Sequence, residues 1–164
     1  MGTMETLLPL AAEIGTQLKA RRETVAIAES SSGGLVSAAL LAVPGASAYY
    51  RGGGVIYAPA AFKGLLGLGR DDIAGMRSST EPYALLLART IRGKLGADWG
   101  LSETGAAGPE GNGYGDAAGH TCVALSGPGG FEVSRTLETG IPDRDANMRR
   151  FALDALDLMH AALT

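Results

Sequence analysis

The sequence predicts an α/β protein in which a mixed sheet lies between two layers of helices. Short apolar runs typical of strands alternate with longer segments whose apolar residues recur at helical spacing. Glycine makes up 25 of the 164 residues and clusters between those runs, where it marks turns. Towards the end of the chain, two strand patterns flank the segment GPGG, which is typical of a hairpin. Together these observations predict one three-layer α/β/α domain over residues 1–164.

The first half of the chain alternates helix and strand. The first helix has a stripe of leucines and alanines at helical spacing, and the run TVAIAE after it has the length and apolar character of a buried strand. The second helix is apolar and ends at Pro44. In chain order, the predicted elements are a helix over 5–22, a strand over 24–29, a helix over 34–43, a strand over 52–58 and a helix over 60–68.

The second half begins and ends with an amphipathic helix. Pro82 lies near the first turn of the earlier helix and Gly96 near its end, which are common places for these residues. The last helix has one apolar face, which contains Met148, Phe151, Ala155, Leu158 and Met159. In chain order, the predicted elements are a helix over 81–96, a strand over 97–105, a hairpin over 120–127 and 130–139, and a helix over 145–163.

Charge and composition narrow the function classes. The formal net charge of −3 gives no electrostatic case for nucleic-acid binding. Cys122 is the sole cysteine, which excludes an internal disulfide and suits a reducing cytoplasm. No uncharged apolar run approaches about 18 residues, and the first residues lack a basic leader. We therefore expect a cytoplasmic protein with a small-molecule ligand, without a nucleic-acid or membrane partner.

Polar residues follow the predicted strands at their carboxyl ends, where ligands collect in open α/β sheets. ESSSGG follows the first strand, Tyr57 lies at the end of the second, and SETGAAGPEG continues the third. A glycine-rich turn before a helix can offer backbone N–H groups to a phosphate. Serines at such a turn are equally common as helix N-caps, so the pattern alone leaves both interpretations open.

The chain lacks the P-loop, the dinucleotide fingerprint and the nucleophile-elbow motif. A serine nucleophile would need either His120 as its base or a lysine whose pKa is lowered by its surroundings. Of the three lysines, Lys63 has the best position, because it follows the second strand in an apolar segment. Two histidines without clustered carboxylates do not predict a metal site.

Several motifs in a fixed order resemble one known family. They are AESSSGG, then PGASAYYRGGGVIYA, then LLGL, then ADWGLSETGAAGPEG, followed by an arginine-bearing last helix. In these motifs the chain resembles the C-terminal domain of the CinA family, which includes enzymes that hydrolyse nicotinamide mononucleotide to nicotinate mononucleotide and ammonia. The resemblance spans nearly the whole chain. It implies a serine nucleophile, a nucleotide substrate, no metal or cofactor, and a homo-oligomer.

The resemblance also implies site residues. The catalytic serine of the family falls on Ser47, and the first motif serine falls on Ser30, expected as its close partner in the pocket. The remaining positions expected to bind substrate are Ser32, Gly33, Gly34, Tyr57, Thr104, Gly105, His120, Arg144 and Arg149.

One departure affects the expected base. The family has a catalytic lysine five residues after the motif tyrosine, and without a gap that position here holds Phe62. Lys63 comes one residue later and remains the candidate base. On a helix, one residue corresponds to a rotation of about 100°.

Further departures lie in the second half. A lysine position of the family holds Asp116, and a threonine position holds His120. The family has two arginines four residues apart in the last helix, whereas Arg144 and Arg149 are five apart and Asp145 takes the ungapped first position. Arginine suits a substrate phosphate, so both arginines are candidate ligands for it.

Three hypotheses follow. In the first, the chain is an amidase in which Ser47 attacks the carboxamide and Lys63 accepts its proton. Ser30 and N–H groups near Gly33 or Gly105 then stabilise the oxyanion. In the second, a related hydrolase uses His120 as its acid and base on another substrate. In the third, Phe62 marks a non-catalytic module that binds a nucleotide.

Overall fold

The computed structural model describes residues 4–164 and has a mixed five-stranded sheet. The strands are β1 (Val25–Glu29), β2 (Tyr50–Val55), β3 (Trp99–Ala106), β4 (His120–Ser126) and β5 (Glu132–Glu138). Their spatial order is β2-β1-β3-β4-β5. β1 is parallel to both β2 and β3, whereas β4 and β5 continue the sheet in antiparallel pairs. The carboxyl ends of β1, β2 and β3 therefore meet at one edge of the sheet.

Helices cover both faces of the sheet. They are α1 (Leu8–Arg21), α2 (Leu35–Leu41), α3 (Pro59–Leu66), α4 (Glu81–Leu95) and α5 (Arg144–Leu163). On one face, α1, α2 and α5 enclose the larger apolar core with Val25 and Ile27 of β1. On the other face, α3 and α4 pack against Ala26 and Ala28 of the same strand. The predicted three-layer α/β/α architecture is confirmed.

The alternation of side chains along β1 explains why both layers form. Successive residues of a strand point to opposite faces, so the larger Val25 and Ile27 serve one core and the smaller Ala26 and Ala28 serve the other. Gly100 of β3 allows an especially close helix, because a Cβ there would lie 2.1 Å from the carbonyl oxygen of Ala88 in α4. The small residues thus set how closely α4 approaches the sheet.

The observed boundaries differ from the predicted ones by a few residues. β2 begins at Tyr50 rather than at residue 52, because its pairing with β1 already starts between Tyr50 and Val25. The first predicted helix is a short 3-10 turn over Met4–Thr6 followed by α1, which has Pro9 in its first turn. Between residues 4 and 164, no helix combines the length and apolarity that a membrane crossing requires.

Candidate functional site

Two adjoining cavities lie at the carboxyl ends of the parallel strands. The smaller, here called the polar cavity, has a volume of about 250 Å³ and is lined by Ser30, Ile56, Tyr57, Ser78, Ser79, Tyr83, Thr104, Gly105 and Asn112. The larger, here called the aromatic cavity, has a volume of about 450 Å³ and is lined by Tyr57, Ala58, Pro59, Phe62, Ile73, Met76, Arg77, Ser78, Tyr83 and Tyr114. Tyr57, Ser78 and Tyr83 belong to both linings, so the two spaces adjoin.

The turn after β1 is built around the carboxylate of Glu103. The backbone N–H groups of Ser30 and Ser32 donate to its Oε1 at 3.1 and 2.8 Å, and Ser31 Oγ donates to its Oε2 at 2.6 Å. Thr121 Oγ1 donates to the same Oε2 at 2.9 Å. Burial raises the pKa of Glu103, and the donors from the three serines oppose that rise. This carboxylate fixes the turn and leaves the Ser30 side chain on the cavity wall.

Glu29 holds the start of α2 in the same manner. Its carboxylate accepts from Ser32 Oγ at 2.6 Å and from the backbone N–H groups of Val36 and Ser37 at 3.1 and 3.0 Å. The hydroxyl of Ser32 is therefore used inside the protein, and Ser32 lines neither cavity. The expected contact between Ser32 and substrate is replaced by a structural contact with Glu29.

Gly33 and Gly34 form the turn and do not line either cavity. Both have positive φ, of 69° and 100°, which favours glycine. Gly33 N donates to Ser30 O at 3.0 Å, and a Cβ on Gly33 would lie 2.7 Å from Met148 Cε of α5. The N–H groups of Ser30, Ser32 and Gly33 are bound to the Glu103 carboxylate and to a carbonyl of the turn, so these three donors do not face a substrate as expected.

Thr104, Gly105 and Tyr57 lie where the strand ends predicted them, on the wall of the polar cavity. Tyr57 is 62% exposed at its mouth, and its hydroxyl accepts from Arg144 Nη2 at 3.2 Å. Arg144 Nη1 also donates to the carbonyl oxygen of Gly108 at 2.5 Å. This pair of contacts brings Arg144, at the start of α5, to the mouth.

Arg149 and His120, both expected to contact substrate, line neither cavity. Arg149 forms an ion pair with Asp145 at 2.7 Å, one helical turn away on α5, and lines neither cavity. His120 is buried behind the polar cavity, and its Nε2 donates to the carbonyl oxygen of Ser79 at 2.8 Å. The structure thus gives His120 a supporting contact with Ser79 in place of the expected contact with substrate.

Phe62 occupies the inward position on α3. Its ring is buried in the wall of the aromatic cavity and stacks on Tyr83, with ring centroids 5.6 Å apart and an interplanar angle of 18°. Lys63 is exposed and lines neither cavity. The structure therefore does not bring Lys63 to these cavities, because one residue along the helix turns its side chain towards solvent, and its role as the base stays a prediction.

Ser47 lies at the opposite end of the sheet from the cavities. It is exposed in a 3-10 turn over Ala46–Ala48, just before β2. Two residues further on, the carbonyl oxygen of Tyr49 accepts from the backbone N–H of Val25 at 2.8 Å, at the start of β1, whereas Ser30 follows the end of that strand. Five residues of strand span about 16 Å. Within one chain, Ser47 is therefore not the close partner of Ser30 that the resemblance implies.

A glycine-rich loop closes one side of both cavities. Asn112 lines the polar cavity and Tyr114 lines the aromatic one. Arg77 donates to both carboxylate oxygens of Asp116 at 2.7 and 3.2 Å, and its guanidinium lies 4.9 Å from the centre of the Tyr114 ring. The hydrogen bond from Arg77 lowers the pKa of Asp116. Asp116, at a family lysine position, thus acts as the anchor of the loop.

Sequence reasoning missed Ser79 and Tyr83, both in the cavity walls. The available signal was the hydroxyl-rich segment RSST immediately before a helix that begins with Glu81 and Pro82. Such a segment is usually read as a helix cap, and Thr80 does cap α4 by accepting from Tyr83 N. The neighbouring Ser79 faces the cavity instead.

The fold and the cavities define an α/β protein with a candidate ligand site at the carboxyl ends of its parallel strands. Residues 7–163 match the family described as the CinA C-terminal domain. The chain is 42% identical over 147 residues to a CinA-like protein of Anaeromyxobacter sp. (strain K), covering 90% of this chain and 36% of that protein. It is 36% identical over 156 residues to a CinA-like protein of Desulfosudis oleivorans, covering 95% of this chain and 38% of that protein. The chain belongs to the CinA C-terminal domain family and spans little more than a third of these relatives.

Solved structures agree with this assignment. A competence or damage-inducible protein from Enterobacter asburiae superposes with a TM-score of 0.89 at 27% identity, over 96% of this chain and 98% of that one. The competence/damage inducible protein CihA from Agrobacterium tumefaciens gives a TM-score of 0.87 at 27% identity, over 96% and 94% of the two chains. The resemblance found in the sequence is confirmed at the level of the family and the fold.

Proposed function

We propose that this chain binds a mononucleotide of the nicotinamide mononucleotide type in the joined cavities and does not hydrolyse it. The observation that carries this proposal is the burial of Phe62 in the cavity wall. The resemblance places a catalytic lysine at that position. An aromatic ring there binds a flat group and accepts no proton.

The shape and chemistry of the cavities support such a ligand. Phe62, Tyr83 and Tyr114 offer aromatic surface for a planar ring. Serine and threonine hydroxyls in the polar cavity offer hydrogen bonds to uncharged groups. Arg144 at the mouth suits the phosphate, because guanidinium forms strong charge-assisted hydrogen bonds with phosphate oxygens.

The second candidate is nicotinamide mononucleotide amidase, which would release nicotinate mononucleotide and ammonia. It is supported by family membership and by Ser30, whose side chain lines the polar cavity. It needs a base near that serine. Across residues 4–164, Lys63 is exposed away from the cavity linings and the Nε2 of His120 is used by Ser79, which favours binding over hydrolysis.

The test is to mix the purified chain with nicotinamide mononucleotide and measure heat of binding, thermal stability and ammonia in parallel. We expect saturable binding, stabilisation of about 2.7 kcal/mol at a ligand concentration 100 times the Kd, and no ammonia above the protein-free control. Arg144→Ala should weaken binding by about tenfold, because it removes the phosphate contact.

Ammonia release, or the absence of binding, would contradict the proposal in the following ways. Ammonia release that is lost in Ser30→Ala would establish an amidase centred on the polar cavity. Ammonia release that is lost in Ser47→Ala would establish the family nucleophile and reject the non-catalytic proposal. A wild-type chain that shows neither binding nor release at millimolar nucleotide would reject both candidates.

We also propose a cytoplasmic location and a homo-oligomeric state. The first is supported by the sole cysteine, Cys122, which is buried as a free thiol. The second is supported by the resemblance. The chain covers only 36–38% of the two relatives described above, so their further partners and activities carry over only as proposals.

A further inference from the structure

Ser79 has a backbone conformation that non-glycine residues rarely adopt. Its φ is 60°, and within residues 4–164 Arg22 is the only other non-glycine residue with positive φ. Arg22 ends α1 in the common left-handed cap, whereas Ser79 is buried in the wall of the polar cavity with 4% of its surface exposed. A strained residue in such a place persists only where its surroundings fix it.

The surroundings do fix Ser79, through two strands. Its backbone N–H donates to Thr104 Oγ1 of β3 at 3.1 Å. Its carbonyl oxygen accepts from His120 Nε2 at 2.8 Å and from Cys122 Sγ at 3.5 Å, both in β4. These contacts hold the main chain on both sides of the Cα, so the direction of the side chain is determined by the sheet.

Two serines with little exposed surface line the same space. Ser30 is 9% exposed, Ser79 is 4% exposed, and both line the polar cavity. Within residues 4–164, the buried side-chain polar atoms without a hydrogen-bond partner are His120 Nδ1 and Asp154 Oδ2, so neither serine oxygen is an unpaired buried atom. The two serines instead offer hydroxyls on one cavity wall to a partner that enters the cavity.

The lining also restricts the charge of that partner. Its side chains are serine, threonine, asparagine, tyrosine and isoleucine, and none of them is cationic. A carboxylate or phosphate placed there would lose water without gaining a counter-charge, which is costly. A carboxamide or a sugar hydroxyl would gain hydrogen bonds at no such cost.

We propose that Ser79 and Ser30 bind an uncharged hydrogen-bonding group of the ligand, a carboxamide or a sugar hydroxyl. In this assignment the strained backbone of Ser79 serves to aim its hydroxyl at the ligand. The inference rests on the proposed function, because it names the part of the nucleotide that the polar cavity recognises. It adds Ser79 as a ligand-contacting residue.

The test compares Ser79→Ala, Ser79→Gly and the matched control Arg22→Gly, using nicotinamide mononucleotide and nicotinate mononucleotide as probes. Alanine removes the hydroxyl and keeps the strain, so Tm should stay within about 2 °C of wild type, whereas glycine relieves the strain and should raise Tm by about 3 °C. Both variants should bind nicotinamide mononucleotide about tenfold more weakly. Arg22→Gly should raise Tm and bind like wild type.

The two probes identify the group that is bound. A loss in Ser79→Ala confined to nicotinamide mononucleotide, with weaker wild-type binding of nicotinate mononucleotide, assigns the carboxamide to this cavity. An equal loss for both probes assigns the sugar hydroxyl. Wild-type affinity of Ser79→Ala for both probes overturns the inference while leaving the proposed function intact. Absence of binding by the wild-type chain overturns both.

Discussion

Phe62 and Lys63 are adjacent in the chain and lie in opposite surroundings. Phe62 is 7% exposed, stacks on Tyr83 and forms part of the aromatic cavity, whereas Lys63 extends into solvent. The helical phase of α3 decides between them, since its buried residues are Phe62 and Leu66, four apart. A single position thus determines whether the cavity has an amine or an aromatic wall.

This difference predicts different effects of two alanine substitutions. Phe62→Ala removes a buried ring and should lower the free energy of unfolding by about 3 kcal/mol. Lys63→Ala changes an exposed side chain and should alter it by less than about 0.5 kcal/mol. Urea denaturation followed by fluorescence measures both. Equal stability of the two variants would show that α3 packs with a different phase.

At the scale of elements, the glycine-rich loop between β3 and β4 depends on Asp116. Its carboxylate accepts from Arg77 and from Asn112 Nδ2, the latter at 2.7 Å. The loop has Asn112 and Tyr114 in the two cavity walls, so its position affects both cavities. Because the pKa of Asp116 is lowered below its usual value of 3.8, its contribution to stability is complete above about pH 4 and is lost as the pH falls through the lowered value.

Asp116→Asn should therefore loosen the loop at neutral pH. We expect faster amide hydrogen exchange in residues 109–119, with exchange in β1 and β3 unchanged. On acidification below about pH 4, the loop of the wild-type chain should approach the exchange rates of the variant. Asp71→Asn, at an exposed position in a separate turn, is the control and should leave the loop unchanged. Wild-type protection in Asp116→Asn would contradict this account of the loop.

The order and type of the elements could be predicted from the sequence, because they follow from local periodicity and from proline and glycine. The strand-end rule also placed Ser30, Tyr57 and Thr104 at one cavity. The position of Ser79 could not be predicted, since it depends on hydrogen bonds from β3 and β4, which lie at least 25 residues further along the chain. Which residue of α3 faces inward depends on tertiary packing. The alignment without a gap puts Phe62 at the family lysine position, and Phe62 is the residue that is buried.

At the scale of the whole molecule, the distance between α4 and the sheet depends on Gly100. A Cβ there would lie 2.1 Å from Ala88 O and 2.8 Å from Arg92 Cβ, both in α4. The backbone oxygen cannot move without displacing the helix. Gly93, within the same helix, has no atom within 4 Å of an added Cβ. Gly100 is therefore needed for close packing of α4 on the sheet, whereas a side chain at Gly93 would meet no neighbouring atom.

Substitution by alanine should separate these roles. Gly100→Ala should lower the free energy of unfolding by about 3 kcal/mol, because the added methyl group forces the helix from the sheet. Gly93→Ala should raise it by about 0.5–1 kcal/mol, since alanine favours the helix. Thermal and chemical denaturation of both variants provide the measurement. A neutral Gly100→Ala would mean that α4 lies further from β3 than the structure has it.

The carboxylates of Glu29 and Glu103 have a consequence for how quickly a ligand arrives. They occupy N–H groups that would otherwise attract anions, and the chain has a formal net charge of −3. A phosphate-bearing ligand therefore meets little long-range attraction before it reaches Arg144 at the mouth. Its association rate should depend on diffusion and orientation and vary little with ionic strength. Selectivity between ligands should therefore come from differences in their dissociation rates.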